Sequence, residues 1–151
     1  GQFQIAETTE FHLDHAELLK SKTGHRSGSV SAAVAYASVT TAQSLDAHAI
    51  ITPTISGHTP RIVSAFRPQA AIIATSPNGQ VLRQMQLIWG VRAIYAPYQN
   101  GSDEVVESSI ELAKLRGLVQ SGDLVVLTAG MTGSCVREKG VTNAMRVLAV
   151  E

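Results

Sequence analysis

The chain is short of charge, of aromatic rings and of cysteine, and each shortage excludes something. Charged residues make up 16% of its 151 positions, against roughly 25% in an average soluble domain. Lys and Arg total 12 and Asp and Glu total 12, so the formal net charge is zero. General nucleic-acid affinity needs a basic excess to displace counterions, and a neutral total argues against it. Aromatics are only 5%, so a core must be built from Ala, Val, Ile and Leu. The one cysteine, Cys135, has no partner for an internal disulfide, which fits a reducing compartment. No apolar run approaches the roughly 18 to 20 residues that span a bilayer. The first twenty residues are acidic and lack the basic start and apolar stretch of a signal peptide. A cytoplasmic protein, with no membrane and no nucleic-acid partner, is the expectation.

What is present bounds the answer further. A hydrophobic content of 44% excludes wholesale disorder, and the length suits one domain with a short appendage. The sparse charge suggests a surface partly covered by another domain or subunit. That charge also comes in blocks. Residues 1–19 carry Glu7, Glu10, Asp14 and Glu17 and no base. From Lys20 to Arg92 the bases Lys20, Lys22, Arg26, Arg61, Arg67, Arg83 and Arg92 face Asp46 alone. Residues 93–113 return to acids only, with Asp103, Glu104, Glu107 and Glu111. The basic middle block suits an anion.

The pattern along the chain predicts a helix over residues 4–20, then a polar, glycine-bearing hinge over 21–29. This leaves residues 1–28 as an appendage to a domain at 29–151. Ser29 can cap an Ala-rich helix from Val30 to Leu45, whose near absence of charge predicts packing on most sides. Apolar runs near Ala47–Thr52, Ala70–Thr75 and Asp123–Thr128 are continuous rather than alternating, as strands buried on both faces require. Val91–Tyr95 also reads as a strand. Helical patterns over Pro60–Phe66, Asn78–Ile88 and Asp103–Arg116 separate them, with Thr59 as a cap ahead of Pro60 and Gly117 as a left-handed stop. A last strand at Met145–Val150 follows too closely for a crossover helix and is expected antiparallel at an edge. The fold class is therefore α/β, a three-layer sandwich with helices flanking a mixed sheet.

The segment Thr52–Arg61 is the most informative for chemistry. A buried strand ends there, a hydroxyl-rich turn follows, and a helix begins. Open α/β sheets bind ligands at the carboxyl ends of strands, and helix N-termini attract anions. Thr54, Ser56 and Thr59 offer hydroxyls, and Gly57 permits close approach of the backbone. One phosphate would fit this cradle; an ordinary strand–helix connection whose hydroxyls merely cap the helix fits equally well. The Walker lysine and the G-x-G-x-x-G fingerprint are both missing. After the fourth strand, Met131–Gly140 forms a long glycine-bearing loop on the same side of the sheet. Its Arg137 and Lys139 could meet an anion, although a surface loop with solvated charges accounts for the segment more simply. Cys135, without a fixed His, reads as a bystander. His12 and His15, with Asp14 and Glu17 beside them, share a helix face; two histidines alone do not make a metal site. Spacing assembles no catalytic constellation from His25, His48 or His58. Trp89 and Tyr95 read as core or interface residues.

Several motifs together resemble one family. The turn Thr54-Ile-Ser-Gly-His-Thr59, Phe66-Arg-Pro68, Ala71-Ile-Ile-Ala74 and Trp89-Gly-Val91 are similar to the C-terminal domain of pyruvate kinase, in its bacterial style. So are Gly117-Leu-Val, Gly122-Asp-Leu-Val-Val126, Thr128-Ala-Gly130 and Thr142-Asn-Ala-Met145. The resemblance runs from about Ser29 to Val150. It implies a five-stranded sheet with four parallel strands and the last antiparallel, in a regulatory and oligomerisation domain that binds an allosteric effector. The parent enzyme transfers phosphate from phosphoenolpyruvate to ADP in glycolysis. By the resemblance, phosphate contact falls to Thr54, Ile55, Ser56, Gly57, His58 and Thr59. The effector loop falls to Gly130, Met131, Gly133, Ser134, Arg137, Lys139 and Gly140. Ile55 and His58 stand where other members place Lys or Arg, and residues 93–113 supply no cation for a second phosphate. A monophosphate such as a sugar phosphate or AMP, or an inorganic anion, is expected rather than fructose 1,6-bisphosphate. The rest of the enzyme chain and further copies of it are the implied partners. No catalytic residue, metal ligand or cofactor is expected in this chain, because Mg²⁺ and K⁺ belong to the family's catalytic barrel. The alternative is a free-standing phosphometabolite-binding protein or small phosphotransferase of the same fold. The purified chain is expected to show no phosphoenolpyruvate-dependent phosphorylation of ADP in a coupled assay; measurable turnover refutes that.

Overall fold

A computed structural model describes residues 29–130 and 142–151. The appendage at 1–28, the His12–His15 pair and the segment 131–141 with Cys135, Arg137 and Lys139 lie outside the described residues. Helix α1 spans Val30–Leu45, with the Ser29 hydroxyl accepting from the Ala32 N–H at 3.1 Å. It ends where Asp46 turns left-handed at φ 51°. Strand β1 (Ala49–Pro53), helix α2 (His58–Ala65), strand β2 (Ala71–Ser76) and helix α3 (Gly79–Met85) follow. Strand β3 (Val91–Tyr95), helix α4 (Ser102–Leu115), strand β4 (Leu124–Ala129) and strand β5 (Ala144–Ala149) complete the described chain.

The sheet order is β3-β2-β1-β4-β5, with the first four strands parallel and β5 antiparallel to β4. Register follows burial. Ile50 lies beside Ile72 and Val126, and this row faces α1 and α2. Ile51, beside Ile73 and Leu127, faces α4 on the other side. Helix α3 covers the outer strands on the α1 face, where Met85 and Val81 pack on Ala74. A one-residue slip would exchange both rows, so the register is strongly specified. The connections through α2 and α3 step outward from β1. The α4 crossover reverses direction to place β4 on β1's other edge, and a right-handed crossover in the reversed sense lies on the opposite face. The three inner strands are apolar and buried on both faces, whereas β5 is only partly covered.

Two local expectations need correction. Helix α1 buries one stripe, Ser31, Ala32, Ala35, Ser38, Val39 and Ala42, rather than most of its surface. These small side chains bring it close to the sheet, and Ser38 satisfies its buried hydroxyl by donating to the Val34 carbonyl at 2.8 Å. Val30 and Leu45, at the two ends of α1, stay exposed. Trp89 and Tyr95, read as core or interface residues, are 50% and 56% exposed, which removes the core alternative and leaves the interface one. The Arg67 guanidinium instead lies 4.7 Å over the Trp89 ring.

Because Ile51 is fully buried at the sheet centre, Ile51→Ala should cost about 2–5 kcal/mol. Urea unfolding should show this as a lower midpoint with an unchanged slope.

Candidate functional site

At the carboxyl ends of the parallel strands the chain leaves a crevice of about 460 Å³. It opens where β1 sends its connection one way and β4 lies on the other side, the topological switch point at which open α/β sheets take ligands. One wall is the turn from Thr54 into α2. Gly57 is the N-cap of α2, left-handed at φ 83°, so the helix starts at His58 and Pro60 is its third residue. This corrects the assignment of Thr59 as the cap. The left-handed Gly57 lets Thr54 Oγ1 accept the Gly57 N–H at 2.7 Å, and that bond closes the turn. Ser56 Oγ accepts the His58 N–H at 3.3 Å. Both hydroxyls use only a lone pair in these bonds and keep a proton to donate. The Thr59 N–H has no hydrogen-bond partner among the described residues, and Pro60 has no N–H to satisfy. The first turn of α2 therefore offers the donors and the positive dipole end that favour an anion.

Thr59 contributes differently from Thr54 and Ser56. Its side chain is buried, and its hydroxyl meets Thr142 Oγ1 at 2.8 Å. Ile55 is exposed at the lip, and His58 also lines the crevice. Gly130 lies on the crevice wall, at the end of β4. Met131, Gly133, Ser134, Arg137, Lys139 and Gly140 fall within the segment that is not described.

The opposite wall was missed from sequence. It is the β3–α4 connection, with Tyr98, Asn100 and Ser102, together with Ser108 and Ser109 one to two turns into α4. A usable signal was present: Ala96–Gly101 follows a parallel strand, ends in turn residues and leads into a helix, as Thr54–Gly57 does. The Ser109 hydroxyl pairs with Thr75 Oγ1 at 2.9 Å, tying this wall to β2.

No Lys, Arg, Asp or Glu is among the described residues that line the crevice. Arg61, the cation nearest the phosphate turn in sequence, extends to Gln84 Oε1 at 3.3 Å. Arg67 donates to the Ser64 carbonyl at 3.0 Å. None of the described members of the basic block therefore lines the turn. The N-terminus of α4 is already answered by acids: Asp103 pairs with Arg146 at 2.7 Å, and a Cβ on Gly101 would overlap the Glu104 carboxylate. Among the described residues no group of three His, Cys, Asp or Glu gathers as for a metal ion. No helix among them is long and apolar enough to cross a membrane.

Comparison with known proteins bears on the same residues. A family model described as pyruvate kinase, alpha/beta domain, matches residues 32–148. The pyruvate kinase of Geobacillus stearothermophilus is 42% identical over 144 residues, covering 95% of this chain and 24% of that protein. That of Bacillus licheniformis is 39% identical over 146 residues, covering 97% of this chain and 24% of the relative. The Clostridium acetobutylicum pyruvate kinase is 35% identical over 148 residues, or 98% of this chain and 31% of its own. The chain spans about a quarter to a third of the length of these curated relatives.

An ideal Cβ on Gly57 would lie 2.7 Å from Met85 Cε in addition to the strain of φ 83°. Gly57→Ala should therefore cost about 1–2 kcal/mol from the backbone alone, read as a lowered urea midpoint. An unchanged midpoint would mean that the turn adopts another conformation.

Proposed function

The chain belongs to the pyruvate kinase alpha/beta-domain family, and from that premise we propose that its crevice is an effector site for one phosphate group. The α2 first turn takes the phosphate through the Thr54 and Ser56 hydroxyls and the Thr59 N–H. The observation that carries this reading is the crevice itself: hydroxyl-rich, at the strand carboxyl ends, bounded by a helix N-terminus, with no cation among its described lining residues. A helix terminus contributes roughly 0.3–1 kcal/mol, up to about 2 when partly buried, to holding a negative group. That suffices for one phosphate assisted by hydroxyls and falls short for two. The first turn of α4 supports the same limit, since it carries Asp103 and Glu104 and no base. Its serines, Asn100 and Tyr98 suit the hydroxyls of a sugar. A sugar monophosphate is accordingly the favoured ligand class, with AMP or inorganic anion as lesser candidates.

In this reading the chain is a regulatory and assembly module of a cytoplasmic pyruvate kinase. It performs no phosphoryl transfer itself and acts on the rest of its enzyme and on further copies. The sparse charge of the chain and the half-covered β5 edge support contact with such neighbours.

Titration calorimetry on the purified chain tests the site. Ribose 5-phosphate should bind at least about tenfold more tightly than fructose 1,6-bisphosphate, a difference of about 1.4 kcal/mol. Ser56→Asp should abolish binding by placing a negative charge in the turn. Tight bisphosphate binding without monophosphate binding refutes the one-phosphate reading, and unaltered affinity in Ser56→Asp refutes the turn as the site.

A further inference from the structure

We propose that Thr142 is a positioning residue that couples the ligand-facing first turn of α2 to the N-terminus of α1, so that filling the crevice is felt at α1. The inference rests on the phosphate-site reading and adds to it a route by which occupancy leaves the site.

Three buried residues from three distant parts of the chain meet at this point. Thr142 precedes β5, and the adjoining Asn143 N–H donates to the Ala129 carbonyl at 3.0 Å, which fixes the segment against the end of β4. The Thr142 hydroxyl pairs with Thr59 Oγ1 across a sequence separation of 83 residues. Ser31, in the first turn of α1, donates its hydroxyl to the Thr142 carbonyl at 3.4 Å, across 111 residues. Ser31, Thr59 and Thr142 are all buried, at 6%, 3% and 9% exposure. All three also border the crevice, and displacing one partner leaves a nearly buried polar group unpaired. The three therefore tend to move together.

Thr59 is where this connection begins. Its side chain holds Thr142 while its N–H has no partner among the described residues, so an anion drawing on that N–H acts on a residue already tied to α1. The sheet face beneath α1 also holds unused hydrogen-bonding capacity. Thr52 and Thr128, fully buried on adjacent strands, have hydroxyls without partners among the described residues. By strand alternation they share the sheet face of Ile50 and Val126, which α1 covers, and stand nearer the crevice. Helices α1 and α2 also touch directly and share one core cluster of apolar side chains. The hydroxyl connection and this apolar contact are separable, because a change from hydroxyl to methyl at Thr142 leaves the packing in place.

Amide hydrogen exchange on the purified chain, with and without inorganic phosphate, distinguishes them. In the wild-type chain, phosphate should slow exchange about threefold or more in the first turns of both α2 and α1. Thr142→Val should keep the effect at α2 and lose it at α1, and Thr142→Ser should restore it. Should Thr142→Val fail to fold, Ser31→Ala cuts the other half of the connection and is read the same way. Protection of α1 that survives in Thr142→Val, or in Ser31→Ala where that is the variant read, overturns the coupling. So does wild-type protection confined to α2, which leaves the phosphate site standing. Absence of protection at both helices in the wild type overturns the site and the coupling together.

Discussion

The double burial of β1 between β2 and β4 is the constraint on which the rest of this structure depends. Ile50 and Ile51 point to opposite faces and are both fully enclosed, so the central strand cannot shift by one residue without exchanging the two rows between the helix layers that they were packed against. With β1 fixed, the carboxyl ends of β1, β2 and β4 align, and the turns leaving them open on a common crevice. The site is a by-product of strand register: Thr54 begins where β1 stops, Thr75 and Ser76 end β2, and Gly130 leaves β4.

That geometry gives the crevice an unusual chemistry. Its described walls are hydroxyls, two amides, prolines, a histidine and a tyrosine, with no Lys or Arg among them. Arg61 reaches from α2 to Gln84 of α3, and Arg67 stacks on Trp89. Attraction for an anion then comes from backbone N–H groups at a helix start. On the proposed reading, a site built this way is weaker than one with a guanidinium and favours one phosphate over two.

The architecture was largely legible in sequence because the relevant signals are local. Continuous apolar runs marked the inner strands, Ser29 marked the start of α1, and the short gap before residue 144 required an antiparallel last strand. The turn at Thr54–Thr59 was legible for the same reason, since a hydroxyl-rich, glycine-bearing strand–helix junction is contiguous in the chain. Errors arose where a long-range contact decided the outcome. Gly57 rather than Thr59 caps α2 because its left-handed backbone starts the helix two residues early, and the Thr59 hydroxyl goes instead to Thr142, 83 residues away. The outer surface of α1 was expected to be packed, yet a single described chain covers only the alanine and serine stripe.

Sequence by itself determined the fold class, the strand order's parallel core and one wall of the site, since each follows from periodicity and neighbouring residues. The tertiary structure decided which side chains face the crevice and which are diverted. It brought the β3–α4 connection to the crevice beside the α2 turn and left the described arginines of the basic block outside it. It also joined Ser31, Thr59 and Thr142 at one buried point. The physical reason is the same in each case. Hydrogen bonds and ion pairs are made between positions far apart in the chain, and only the register of the sheet sets those positions at bonding distance.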